Sequence, residues 1–335
     1  MRGKLIPWSR DNVLTGASRP VLFLAMLGLS FLLLPASAHE GKGEKPALQQ
    51  KAKADPPENV IYCPDLTYCT LGKNNLQLDL AYPKDGKGPF PAVVIIHGTG
   101  PLTKGRKFNV PLVWDLAQRG FVGVTISYRH NPADAFPGAI EDVKCAVRWL
   151  RANAGKYQID PKRIGALGFS GGGTLACLLG MCSAKHGMEG NGGHLDQPSR
   201  VQAVVCYFGP SDLAQLHDDC CKAGGFRGGI LRLQLEQWLG GPPDKVKERY
   251  RKASPTSYVS KEAAPFLLLH GSADQVVPLA HSKTLAEMMR KAGAQVTMLT
   301  FEGAPHDFDE GKDANARLAA LTARTFLEQH LITKK

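Results

Sequence analysis

The sequence predicts an α/β fold with a mostly parallel central sheet covered by helices on both faces. Three observations lead there. Strand-like and helix-like segments alternate along the chain, several strands are apolar without a break, and the polar motifs sit where those strands end. Leu76 to Tyr82, Ala92 to His97, Phe121 to Tyr128, Arg163 to Phe169, Val201 to Phe208, Pro265 to His270 and Gln295 to Phe301 read as strands. Ala92-Val93-Val94-Ile95-Ile96 and Pro265-Phe266-Leu267-Leu268-Leu269 have no polar face, as expected of strands buried on both sides. Between them, Ile140, Val143, Val147 and Leu150 recur on one helical face, as do Leu285, Met288, Met289 and Ala292. Right-handed crossovers between parallel strands then place functional loops at the carboxyl ends of the strands.

Ahead of this region the chain has a different character. Arg2, Lys4, Arg10 and Arg19 precede a fourteen-residue apolar run from Val21 to Leu34, and Pro35-Ala36-Ser37-Ala38 follows with the small-residue spacing of a cleavage site. Residues 1–38 are expected to be a signal peptide rather than a membrane span, which needs about twenty apolar residues. The mature chain is expected to be exported to the periplasm or outside the cell. Residues 39–59 are rich in Lys, Gln, Glu, Ala and Pro and read as a disordered linker. The catalytic domain is expected over residues 60–335. Its length of apolar sequence suffices for one large core.

The formal net charge is +11, of which the first 38 residues carry +3, leaving +8. The basic residues are spread through helices and loops, and no basic helix with interleaved aromatics suggests a nucleic-acid face. Of the eight cysteines, Cys145, Cys177 and Cys206 fall in expected helices or a core strand and read as buried thiols. Cys63 with Cys69, and Cys220 or Cys221 with Cys182, lie in loop-like sequence and are the disulfide candidates. No C-x-x-C pair suggests zinc. His186 and His194 lack the neighbours of a metal site and read as residues of a solvated loop. Gly187 to Gly193 and Gly224 to Gly229 read as mobile loops.

The chemistry concentrates at four strand ends. Gly168-Phe169-Ser170-Gly171-Gly172-Gly173 follows a strand and opens a helix, the context in which G-x-S-x-G holds a serine proud of the sheet on a strained turn. Ser170 is therefore the expected nucleophile. The amide of Gly171, at the helix N-terminus, can receive developing negative charge. His97-Gly98-Thr99-Gly100 follows the first core strand, where a second oxyanion amide is drawn from a neighbouring loop; Thr99 and Gly100 are the candidates, and His97 is expected to pin the loop. Gly271-Ser272-Ala273-Asp274 follows the next-to-last strand and offers Asp274 as the acid that orients a base. Asp212, in Gly209-Pro210-Ser211-Asp212, is its rival. The last strand leads to Gly303-Ala304-Pro305-His306, making His306 the base. The chain order nucleophile, acid, base is that of one fold and not of the chymotrypsin or subtilisin folds. No cofactor and no metal is called for. Residues 213–250, with Leu231, Leu233, Leu235 and Trp238, are expected to form a short cap over the pocket.

With these pieces placed, Val60 to Leu331 resembles the α/β-hydrolase superfamily, and within it exported esterases related to feruloyl and acetyl-xylan esterases. The likeness is carried by Leu78-Asp79-Leu80-Ala81-Tyr82-Pro83, His97-Gly98-Thr99-Gly100, Ser127-Tyr128-Arg129, Asp142-Val143-Lys144, Ala146-Val147-Arg148-Trp149-Leu150, Gly168 to Gly173 and Ala253-Ser254-Pro255. It implies a serine carboxylic-ester hydrolase that works through an acyl-enzyme on acetyl or hydroxycinnamoyl esters of polysaccharide or on small esters. A lipase or a prolyl-oligopeptidase-like peptidase would keep the same triad, and a non-catalytic binding module is a third reading on the same fold. Thr99 departs from the H-G-G-G loop of many esterases.

Overall fold

A computed structural model describes residues 55–99, 105–130 and 135–332. The expected signal peptide, most of the expected linker and Gly100 lie outside the described residues. Within them, eight strands form one sheet in the order β1-β2-β4-β3-β5-β6-β7-β8. These are β1 (Val60–Leu71), β2 (Asn74–Pro83), β3 (Phe90–Ile96), β4 (Val122–Ile126), β5 (Ile159–Phe169), β6 (Ala203–Tyr207), β7 (Phe266–Gly271) and β8 (Val296–Phe301). β1 pairs antiparallel with β2 and β2 antiparallel with β4, and from β4 to β8 every pairing is parallel. The seven strands read from the sequence are all present, within a few residues at each end.

β1 was not legible. Pro64 and Asp65 interrupt its alternation, and its pairing with β2 slips twice, between Cys63 and Leu66 and between Thr67 and Cys69. Pro64 is tolerated because β1 is an edge strand, where a missing N–H removes no interior ladder bond.

Two helical layers bury the sheet. On one face α2 (Gly138–Ala152), α3 (Gly171–Met181) and α7 (Ala280–Lys291) pack with Ala92, Val94, Ile96, Phe266 and Leu268. On the other, α1 (Val110–Gln118) and α8 (Ala314–Leu331) cover Val93, Ile95, Leu267 and Leu269. Successive residues of one strand thus enter opposite cores, which is why these strands carry no polar face.

Three expectations are corrected. The stretch Gly224 to Gly229 is not a mobile loop: α4 (Leu213–Ala223) is followed at once by α5 (Gly225–Leu239). Gly228 is buried where a Cβ would lie 2.7 Å from the Cys220 carbonyl oxygen, so its bareness lets the two helices approach. Gly187 to Gly193 is not free either. Glu189 pairs with the buried Lys144 and Arg148 of α2 at 2.7 and 2.8 Å, and Arg148 also donates to the Gly193 carbonyl at 3.1 Å. Finally, all eight cysteines are free. Cys63 and Cys69 share the extended strand β1, and six residues at about 3.3 Å each hold their Cα atoms far beyond the ~6 Å a disulfide spans. Cys220 and Cys221 lie on α4, while Cys182 is buried at the C-terminal cap of α3. Cys145, Cys177 and Cys206 are buried thiols, as read from the sequence. His186, expected in a solvated loop, accepts a hydrogen bond from the Ser183 amide at 3.0 Å and packs edge-on against Tyr258.

Candidate active site

Ser170 stands between the end of β5 and the first residue of α3 with φ 51° and ψ −124°, a backbone that side chains adopt only under constraint. The constraint is close packing of the turn. A Cβ on Gly172 would lie 2.2 Å from the His97 carbonyl oxygen, and one on Gly168 would lie 2.1 Å from the Gly172 carbonyl oxygen. Small residues at these two positions let β5, the turn and the loop after β3 meet, and the Ser170 amide is tied to the Tyr207 carbonyl at 3.0 Å.

Three distant segments converge on this hydroxyl. Ser170 Oγ is 3.1 Å from His306 Nε2, and His306 Nδ1 is 2.7 Å from Asp274 Oδ2. A carboxylate only accepts, so Nδ1 carries the proton and Nε2 is left to accept from the serine. Asp274 Oδ1 accepts from the amides of Val276 and Val277 at 2.8 and 2.9 Å. Burial pushes the Asp274 carboxyl up, but hydrogen bonds from His270 and His306, the charge on His306 and the Val277 amide outweigh it and hold the group well below the usual carboxylate range. Asp212 is elsewhere: it caps α4, accepting from the amides of Ala214 and Gln215 at 3.0 and 3.1 Å.

Gly171 occupies the first position of α3, where the helix offers its N–H no acceptor. The Thr99 side chain lies directly over it, since a Cβ on Gly171 would fall 2.1 Å from Thr99 Oγ1. The structure therefore brings Thr99 beside the nucleophile turn. The loop that carries it is anchored by His97, which stacks on Tyr128 with centroids 4.5 Å apart, while the Tyr128 hydroxyl donates to the His97 carbonyl at 2.6 Å. Burial lowers the His97 imidazole to about 4, so it is neutral at ordinary pH. The next residue, Arg129, clasps the buried Asp142 of α2 through Nε and Nη2 at 2.9 and 2.8 Å. Two of the sequence stretches behind the resemblance thus brace the loop.

A cavity of about 990 Å³ opens at Ser170 and His306. Phe108, Phe169, Phe208, Phe226, Ile230 and Leu231 give it apolar walls, with Arg227, Asp309 and Glu310 among its polar groups. The first turns of α5 supply Phe226 to Leu231, so this part of the segment expected as a cap does border the site. Leu233 is exposed, whereas Leu235 is buried in the core and Trp238 packs edge-on against Phe136. Two groups escaped the sequence reading. His270 sits under Asp274, and Asp309 has a carboxyl that burial, with Asp307 and Glu310 nearby, pushes up to about 7. The signal for His270 was its place at the end of β7 next to the Asp274 turn; Asp309 had none beyond proximity to His306. Among the described residues, no three His, Cys, Asp or Glu side chains converge to hold a metal ion, and no helix is long and apolar enough to cross a membrane.

Comparison with known proteins agrees with this architecture. The chain is 30% identical over 274 residues to a probable carboxylic ester hydrolase, LipM, of Mycobacterium tuberculosis, covering 81% of this chain and 62% of that protein. It spans about three fifths of the length of the curated relatives it matches. A truncated carbohydrate esterase from gut microbiota superposes with TM-score 0.66 at 28% identity, over 80% of this chain and 98% of that one. Esterase 2 of the planctomycete Thermogutta terrifontis, solved with propionate bound, gives TM-score 0.65 at 25% identity, over 81% and 96% of the two chains. The BD-FAE family model matches residues 78–289, a span that runs from β2 through the Ser170 turn and Asp274 into α7, and the chain belongs to that family of the α/β-hydrolase fold.

Proposed function

We propose that this protein is an exported serine carboxylic-ester hydrolase in which Ser170 is the nucleophile, His306 the base and Asp274 the acid. The observation that carries the reading is the continuous chain of hydrogen bonds from Ser170 Oγ through His306 to Asp274 at the floor of an apolar cavity. As Ser170 Oγ bonds to the ester carbonyl carbon, its proton passes to His306 Nε2. The Gly171 amide, with an amide of the loop after β3 for which Thr99 and Gly100 remain the sequence candidates, would receive the oxyanion; one such donor is worth roughly 100- to 1,000-fold in rate. Collapse of the tetrahedral species breaks the bond to the alcohol oxygen, which leaves with the proton from Nε2. Water then attacks the acyl-serine, gives its proton to Nε2, and the released Ser170 Oγ takes that proton back.

The substrate class we favour is an acetyl or hydroxycinnamoyl ester of polysaccharide, or a small ester. Aromatic walls with Arg227, Asp309 and Glu310 among the lining groups suit an acyl group held against a hydroxylated alcohol, and a carbohydrate esterase is among the structural neighbours. The test is hydrolysis of p-nitrophenyl esters from acetate to octanoate, of acetylated xylan and of methyl ferulate, by the protein and its Ser170→Ala variant. Turnover abolished in the variant is expected; undiminished turnover would remove Ser170 from the mechanism. Export is tested by N-terminal sequencing of the secreted protein, expected to begin at His39.

A further inference from the structure

Behind the acid of the site lies a second imidazole. His270, near the end of β7, is fully buried. Its Nε2 is 2.9 Å from the Val277 carbonyl oxygen and 3.2 Å from Asp274 Oδ2, and its Nδ1 is 2.7 Å from Ser282 Oγ on α7. A carbonyl and a carboxylate can only accept, so Nε2 must carry a proton, which the two oxygens share. In the neutral ring Nδ1 then accepts, and the Ser282 hydroxyl is its donor. The surroundings therefore select one tautomer. The oxygen that His270 approaches, Oδ2, is also the one that receives the His306 proton.

We propose that His270 is a positioning residue for the acid: its Nε2–H, fixed by Val277 and by Ser282, holds Asp274 Oδ2 in the orientation and at the charge density that His306 requires. The inference rests on the serine-esterase reading above. The network then runs Ser282, His270, Asp274, His306, Ser170. The hydrogen bond from His270 is among the causes that keep the Asp274 carboxyl ionised despite burial. A donor on Oδ2 also withdraws charge from it. Without that donor the carboxylate turns more freely and pulls harder on the imidazolium, so turnover falls and the base stays protonated to higher pH. The other titratable groups around the pair are Asp307, with Oδ1 3.9 Å from His306 Nε2, Asp309 on the following turn, and His281 on α7, itself paired with Asp219 at 3.2 Å. None of these changes in the variants below.

The experiment compares the native protein with His270→Leu, which removes the donor, and His270→Gln, which keeps an N–H at the position of Nε2. Ser170→Ala serves as the control for the parent reading: full activity there overturns the serine mechanism itself, whatever His270 does. With Ser170 essential, His270→Leu is expected to lower kcat roughly 10- to 100-fold with little change in KM. Its acid limb of the kcat/KM profile should move up by about half a pH unit, and His270→Gln should restore both. Leu and Gln variants that lose the same activity on an unshifted profile would show a packing role and overturn the proposal, as would a fully active Leu variant. Should His270→Leu not fold, long-range nitrogen–proton NMR correlations of histidine-labelled native protein decide the matter. A single Nε2–H tautomer for His270 supports the proposal, and an Nδ1–H tautomer overturns it.

Discussion

Lys144, wholly buried on α2, holds Glu189 at 2.7 Å, and the other carboxylate oxygen of Glu189 takes Arg148 at 2.8 Å. One acidic side chain of a glycine-rich loop thus pairs with two buried cations, one through each carboxylate oxygen. Removing one partner of such a cluster leaves charge without compensation, which costs more than the pairing gains. Glu189→Ala is expected to destabilise the fold by about 3 kcal/mol, read as a fall in the urea midpoint, whereas a change within error would mean that the loop opens and water reaches both cations at little cost.

Asp274→Asn should retain the fold and lose roughly 1,000- to 10,000-fold in kcat, because an amide presents the wrong hydrogen-bond polarity to His306 Nδ1. Asp212→Asn should leave kcat intact, since Asp212 caps α4 and Asn caps almost as well. The contrary pattern, with Asp212 essential and Asp274 dispensable, would reassign the acid. Steady-state kinetics on p-nitrophenyl acetate measures both.

The Asp309 carboxyl is pushed up to about 7 by burial, so between about pH 4 and pH 7 the folded protein binds more protons there than the unfolded chain. Its contribution to stability is therefore greatest in the acid range and declines as pH rises to about 7. Asp309→Asn removes the dependence. The variant should melt with the native protein near pH 4 and be more stable above pH 7, by on the order of 2 kcal/mol. Parallel melting curves across that range would mean the carboxyl is solvated.

Gly172→Ala places a methyl group 2.2 Å from the His97 carbonyl oxygen and 2.3 Å from that of Ile96, both fixed backbone. The Ser170 turn and the His97 loop must then separate. Loss of activity with Ser170 present, together with a melting temperature lowered by several degrees, is the expected outcome. A variant as active and stable as the native protein would show that the turn has slack.

The sequence by itself determined the fold class, seven of the eight strands and the candidate triad, because each of these is written in local chemistry. Apolar runs bounded by turn residues read as strands buried on both faces; Ser170 and Asp274 follow such runs and His306 follows the half-exposed edge strand β8, each on a turn built from small residues. Tertiary structure alone decided the rest. β1 is a strand because β2 lies beside it, not because of its own interrupted pattern. Gly224 to Gly229 enters a helix because Gly228 fits against α4, and Gly187 to Gly193 is held because Lys144 and Arg148, over forty residues away, need its carboxylate. Cys63 and Cys69 are neighbours in sequence and apart in space. The same reason governs Asp309 and the partners of His270: burial, and the neighbours it imposes, come from segments that meet only once the sheet has formed, so the place of His270 at the end of β7 marks its position but not its bond to Ser282 on α7.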